Sequence, residues 1–203
     1  MLTLYRAAKP TAALILAHGA GAGQTSPFMV RVARGLADRG ISAATFDFPY
    51  MTAKRHMPDK PPVLEDAWRQ AIDEASRTFT GLPLFIGGKS MGGRIATQVA
   101  AAGGGGTGAV RGVVLLGYPL HPPGRPQQRR DAHLPSVAVP MLFVQGSRDT
   151  FGTAADIAAL VPSLARATLH EVAGGDHSFK TSGKKDTLEP IMDTVAEWIR
   201  TTS

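Results

Sequence analysis

The sequence contains no cysteine, which excludes a disulfide framework and a thiolate zinc site and fits a cytoplasmic setting better than a secreted one. Aromatic residues are scarce, at 6% of 203 residues, so the interleaved stacking platforms of a nucleic-acid binder are not expected. Charge of one sign nowhere accumulates. The net charge is +6, yet the longest basic runs are pairs such as Arg129-Arg130 and Lys184-Lys185. A scattered surplus of this kind reads as solvated surface and argues against a nucleic-acid partner. Long apolar runs are missing too. The run at residues 12–17 is shorter than the ~7–15 residues of a signal-peptide core, and none approaches the ~20 residues of a membrane span. The expectation is a cytoplasmic, unexported chain with no membrane partner. The histidines lack the H-E-x-x-H spacing of a zinc site, so no metal or cofactor is expected. Nothing in the pattern fixes an oligomeric state.

What is present is an alternation. Short apolar runs at 12–17, 41–48, 82–86, 110–116, 137–144 and 167–172 read as strands. Helical patterns at 29–39, 64–79, 91–102, 153–160 and 186–200 separate them, with Pro61-Pro62 placed before the second helix. Continuously apolar strands between helices predict a mostly parallel sheet of about six to seven strands, covered on both faces. No repeat or second core is visible, so residues 1–203 are read as one domain. Two segments break the rhythm. The stretch 103–108 (GGGGTG) reads as a loop, and 118–135 holds five prolines in eighteen residues, a candidate pocket wall.

The stretch LFIGGKSMGGR at 84–94 carries the chemistry. A phosphate-binding G-x-x-x-x-G-K-[ST] loop would need glycine at 83, where Pro83 stands. A dinucleotide fingerprint at Gly103, Gly105 and Gly108 follows a helix and precedes a strand, the reverse of what the pyrophosphate requires. The remaining pattern is G-x-S-x-G, from Gly88 to Ser90 to Gly92, between an apolar strand and an amphipathic helix. There a serine takes a strained turn that lifts its Oγ above the sheet edge, and its neighbours two residues away must be small.

A nucleophilic serine needs a base, an acid that orients the base, and an oxyanion hole. The chain order Ser, acid, His points to Asp149, in the loop after the strand ending near Val144, and His177, in the loop after the last strand. The rivals fit less well: Asp176 adjoins the histidine, Asp156 lies in a helix, and His121 and His133 precede Asp149. The backbone N–H of Met91 is one expected oxyanion donor. The loop His18-Gly19-Ala20-Gly21 supplies the other, Ala20 first and Gly21 second, with His18 shaping the loop. Tyr50, Tyr118 and Leu120 are expected to line a shallow apolar pocket, with Lys89 and Arg125 near it; loop anchoring is the alternative role for each of the first three.

Several motifs recur together in order: His18-Gly19-Ala20-Gly21-Ala22, Phe46-Asp47-Phe48-Pro49-Tyr50, residues 87–94, residues 117–124, Gly146-Ser147-Arg148-Asp149 and Gly175-Asp176-His177-Ser178-Phe179. Across nearly the whole chain the sequence resembles the small, cap-less α/β-hydrolases described as dienelactone-hydrolase-like. That group includes the hydrolase-like domain of a subunit of the NSL histone-acetyltransferase complex. The resemblance implies an α/β-hydrolase fold with Ser90, Asp149 and His177 as a catalytic triad, acting on a small ester or thioester. One departure stands out: dienelactone hydrolases use a cysteine nucleophile, and this chain has none. Because the group also contains scaffolding members, a non-catalytic binding module that holds a partner through residues 118–135 is the alternative.

Overall fold

A computed structural model describes residues 1–103, 110–183 and 186–203. Most of the glycine-rich loop expected at 103–108, and the Lys184-Lys185 pair, lie outside the described residues. Seven strands form one sheet: β1 (Thr3–Tyr5), β2 (Ala12–Ala17), β3 (Ile41–Phe46), β4 (Leu84–Lys89), β5 (Val110–Leu116), β6 (Met141–Gly146) and β7 (Ala167–Val172). Their order is β1-β3-β2-β4-β5-β6-β7. β1 runs antiparallel to β3, and the other pairs are parallel.

The strands explain the layers. Every residue of β2 and β3 is buried, so both faces of the sheet must be covered. Alternation along β2 divides its side chains. Ala13, Ile15 and Ala17 join a cluster with Phe46, Trp68 and Ile95, beneath α3 (Pro61–Thr78) and α4 (Met91–Ala102). Ala12, Leu14 and Leu16 join the opposite cluster, beneath α1 (Pro27–Asp38) and α6 (Leu188–Thr202). Two shorter helices, α2 (Pro49–Thr52) and α5 (Ala154–Leu160), sit at the rim. No separate cap stands over the sheet among the described residues.

Boundaries differ from the sequence reading for definite reasons. Pro61 and Pro62 open α3 instead of preceding it, because a proline in the first turn lacks only an N–H that has no intrahelical partner. The sixth strand begins at Met141, not 137, since Pro140 has no N–H for the ladder. β1 was not anticipated: a three-residue edge strand, largely exposed, leaves too short a pattern to register.

Parallel pairing places the exits of β2, β4, β6 and β7 on one edge. Ala17 pairs with Gly88 and Gly146 with Val172. Where α4 leaves this edge it crosses β2 closely: a Cβ on Gly92 would lie 2.4 Å from the Ala17 carbonyl oxygen and 2.6 Å from that of His18. Backbone cannot swing aside as a side chain can. Gly92→Ala should therefore destabilise the protein by about 2–3 kcal/mol, at the costly end of overpacking, as a lowered urea midpoint. An unchanged midpoint would show that the crossing can open.

Candidate active site

Ser90 sits between β4 and α4 with φ 51° and ψ −116°, a region that costs a non-glycine residue about 1–3 kcal/mol. Hydrogen bonds on both sides hold it there. Its N–H donates to the Leu116 carbonyl at 3.0 Å, and its carbonyl accepts from Arg94 N–H at 3.0 Å. Gly88 gives clearance on the strand side, where a Cβ would meet the Ala17 carbonyl oxygen at 2.2 Å.

His177 Nε2 lies 2.9 Å from Ser90 Oγ, and His177 Nδ1 lies 2.7 Å from Asp149 Oδ2. The three candidate residues, 87 and 28 positions apart in the chain, thus form one hydrogen-bonded line. The rival acids are spent locally. Asp176 Oδ1 accepts from the N–H groups of Ser178 (2.8 Å) and Lys180 (2.9 Å), shaping the histidine loop. Asp156 closes a capping box with Thr153 at the start of α5.

Asp149 is 1% exposed, and its carboxylate is fully engaged. Oδ1 accepts from Phe151 N–H at 2.8 Å, and Oδ2 also accepts from Gln145 Nε2 at 3.0 Å. Gln145 itself is fully buried. Its Oε1 accepts from Tyr118 N–H at 2.8 Å, while Nε2 reaches the carbonyls of Gly152 at 2.6 Å and Tyr118 at 3.2 Å. It cross-links the loops after β5 and β6. Sequence reasoning missed it because a lone glutamine inside an apolar strand has no motif; its one signal is a polar residue amid residues 141–146.

Two further groups hold the imidazole. The Phe151 ring lies against it, with centroids 4.2 Å apart. Lys89 Nζ donates to the His177 carbonyl at 2.5 Å and lies 5.4 Å from the Phe179 ring centre. Burial pushes the Lys89 ammonium down to about 8, against the opposing pull of Asp149 and Asp176.

The loop after β2 is built on His18, which is fully buried. Phe48 N–H donates to its Nε2 at 3.2 Å, so Nδ1 carries the proton given to the Gly19 carbonyl at 2.8 Å. Burial lowers its proton affinity more than the Gly19 contact and Asp47 raise it. Among the described residues, neither Ala20 N–H nor Met91 N–H has a protein acceptor, and both residues face the same cavity as Ser90.

That cavity measures about 1200 Å³ and opens to solvent. Its apolar wall is made by Phe28, Leu64, Phe151, Phe179 and Leu188. The expected lining residues Tyr50, Tyr118 and Leu120 are not among those that line it, and each is at most 1% exposed. They anchor loops instead. Tyr50 stacks on Phe48 with centroids 6.5 Å apart. Tyr118 Oη donates to the Arg130 carbonyl at 2.6 Å, and the Leu120 carbonyl accepts from Arg130 N–H at 2.9 Å. Tyr118 can bury its ring fully because its hydroxyl finds a backbone acceptor, whereas the Tyr50 hydroxyl is buried without a hydrogen-bond partner among the described residues and its ring is held by packing. Lys89 does line the cavity, whereas Arg125 is exposed on its loop and does not. Among the described residues no three His, Asp or Glu side chains cluster as metal ligands would, and no helix is long and apolar enough to cross a membrane.

Comparison with known proteins agrees with this architecture. A family model described as an alpha/beta hydrolase domain matches residues 10–202. The chain belongs to the alpha/beta hydrolase family. Solved structures share its fold: a dienelactone hydrolase from Anabaena variabilis ATCC 29413 is 21% identical with a TM-score of 0.75, covering 99% of this chain and 91% of that one. XC6422 from Xanthomonas campestris, an α/β serine hydrolase without a lid, is 18% identical with a TM-score of 0.76, covering 98% and 88%. Est1E from Butyrivibrio proteoclasticus is 14% identical with a TM-score of 0.75, covering 99% and 93%. This chain is a small, cap-less member of the fold.

Two outcomes follow from the buried polar groups. Gln145→Leu keeps the volume but leaves Tyr118 N–H and the Gly152 carbonyl without partners. It should cost about 2–3 kcal/mol of stability, read from denaturant unfolding; a neutral result would show that water replaces the amide. Burial also holds the rings of His18, His133 and His170 below their ordinary value of 6.5. The unfolded chain then binds more protons than the native one just below pH 6.5, so stability present above that pH is lost on acidification. Tm should fall between pH 7 and pH 5, and a flat profile would show that these rings take up protons without unfolding.

Proposed function

We propose that this protein is a serine hydrolase that cleaves a small ester or thioester through an acyl-enzyme. The observation that carries the reading is the hydrogen-bonded line from Ser90 through His177 to Asp149, ending at a strained serine on the floor of an open cavity. Ser90 Oγ attacks the carbonyl carbon while His177 Nε2 takes its proton. Asp149 holds the proton on Nδ1, so that Nε2 faces the serine as an acceptor. The tetrahedral oxygen would sit between the Ala20 and Met91 N–H groups, which face the cavity and have no protein acceptor among the described residues, where preorganised donors stabilise developing charge. His177 then gives its proton to the leaving oxygen or sulfur. Water, deprotonated by the same nitrogen, releases the acid and restores Ser90.

An ester substrate accords with the family. Est1E has been solved with ferulic acid bound, and another structure of this fold is an esterase domain from Rhodothermus marinus. Neither fixes the natural substrate here. An intact hydrogen-bonded line beside a cavity this large favours turnover over a purely scaffolding role, and the region 1–203 is read as one hydrolase domain.

A fluorophosphonate probe should label the wild-type protein at Ser90, and Ser90→Ala should abolish both labelling and hydrolysis of nitrophenyl esters. Asp149→Asn should lower kcat by up to about 10⁴-fold, because the amide favours the wrong histidine tautomer. Asp176→Asn should cost far less. Full activity in Ser90→Ala would overturn the nucleophile, and a larger loss in Asp176→Asn than in Asp149→Asn would overturn the acid.

A further inference from the structure

Two arginines face the cavity without an acidic partner. Arg94 lies one helical turn beyond Ser90 on α4, and Arg130 comes from the loop 118–135; both line the cavity that Ser90 lines. Among the described residues neither makes a salt bridge, and the nearby acids pair with other arginines. Glu65 pairs with Arg69 at 3.2 Å, Asp131 with Arg129 at 2.5 Å, and Asp59 Oδ1 with Arg55 at 2.6 Å, which leaves Asp59 Oδ2 buried without a hydrogen-bond partner among the described residues. The Arg94 side chain makes one hydrogen bond, from Nη1 to Gln98 Oε1 at 3.3 Å. Its Nε is buried with no hydrogen-bond partner among the described residues. The side chain of Arg130 has no hydrogen-bond partner among the described residues; it is the backbone that is held, by Tyr118 Oη and the Leu120 carbonyl.

This arrangement is unbalanced as it stands. A buried, unpaired charged donor costs more than an ordinary lost hydrogen bond, and here a second guanidinium adds repulsion. Burial is the main cause that pushes the Arg94 guanidinium downward; Tyr118 opposes it, and the charge of Arg130 adds a smaller downward push against Glu65. The group that would relieve all of this is an anion. Guanidinium presents parallel N–H donors that match a carboxylate bidentately, which an ammonium cannot do. The anchoring of residues 118–135 then acquires a purpose: buried Tyr118 and Leu120 fix the backbone from which Arg130 reaches the cavity.

We propose that Arg94 and Arg130 form a subsite for a substrate carboxylate, so that the preferred substrates are esters or thioesters bearing a second, anionic group. The rise of one helical turn, ~5.4 Å, sets the scale of its distance from the carbonyl under attack. The subsite deepens the hydrolase reading and rests on Ser90 being the nucleophile.

The test compares matched esters. For a carboxylate on the acyl side, 4-nitrophenyl hemiglutarate is set against 4-nitrophenyl valerate; for one on the alcohol side, 4-carboxyphenyl acetate against phenyl acetate. In the wild-type protein at low salt, the anionic member of one pair should have a kcat/KM at least about tenfold higher. That ratio should fall about tenfold in Arg94→Gln and in Arg130→Gln, with part retained in Arg130→Lys. Glutarate alone gives a readout free of turnover. It should raise Tm of the wild-type protein more than chloride at equal ionic strength, and in neither Gln variant. Fluorophosphonate labelling of Ser90 reports separately on the nucleophile. No anionic preference in either pair, a preference that survives both Gln substitutions, or no glutarate-specific rise in Tm would each overturn the subsite. Loss of labelling with the glutarate effect intact would overturn the nucleophile and leave the anion site standing.

Discussion

The site depends on how closely two backbones can pass at the end of β4. Ser90 occupies positive φ because the chain must reverse from strand to helix within one residue. That reversal is possible only where β2, β4 and α4 nearly touch. Gly88 and Gly92 leave no room for a Cβ against the Ala17 carbonyl, so the glycines and the serine form one steric unit. The strain is local, whereas the support is distributed: the Leu116 carbonyl on β5, Arg94 N–H in α4 and the sheet register all hold the turn. A strained residue persists only where its surroundings over-determine it. The first turn of α4 carries Met91 and Arg94 as well as Ser90, so the same constraint that raises the serine also aims the helix at the cavity.

A second chain of cause runs inward from the imidazole. Burying Asp149 is costly unless each oxygen is satisfied, and Phe151 N–H and Gln145 share that work with His177. Gln145 extends the network to Tyr118 and Gly152, so the loops after β5 and β6 are tied by one amide. Lys89 acts from the other side, holding the carbonyl of the histidine whose ring faces the serine. The ammonium is dehydrated enough that its ordinary basicity drops to about 8, yet it stays beside the rings of Phe28 and Phe179. Orientation of His177 is therefore set at the carbonyl, at Nδ1 and at the ring face together.

What the sequence made legible follows from range. Strand alternation and glycine punctuation act over a few residues, and they located the six strands β2 to β7, the elbow and the loops carrying Asp149 and His177. The order of those loops then followed from parallel topology. Effects that depend on neighbours distant in the chain were not legible. Tyr50, Tyr118 and Leu120 do sit at the expected strand exits, but whether such a side chain turns toward solvent or core is decided by acceptors such as the Arg130 carbonyl. Gln145 belongs to the same class, since its role exists only once the loops after β5 and β6 meet. Phe151 and Phe179 likewise gain meaning from the ring of His177 and from Lys89. β1 escaped for a different reason: three edge residues cannot establish a period.

The cavity walls show how a chain without a cap can still enclose a site. One wall is the start of α1, around Phe28, and the segment leading into α6, around Phe179 and Leu188. Arg31 joins Asp186 and Glu189 across that wall, and Arg39 joins Glu189 at 2.9 Å and Asp193 at 2.7 Å. Exposed pairs of this kind contribute little individually and are screened by salt. Apolar packing must carry the wall instead, and Met29, Val32 and Leu36 of α1 share one cluster with Ile191, Met192 and Val195 of α6. The facing wall is the start of α3 and the loop 118–135, in which buried Tyr118 donates to the Arg130 carbonyl and the Leu120 carbonyl accepts from Arg130 N–H. Both walls thus grow directly from core elements. The cavity is built by the sheet and its flanking helices, and its shape is as fixed as the packing beneath it.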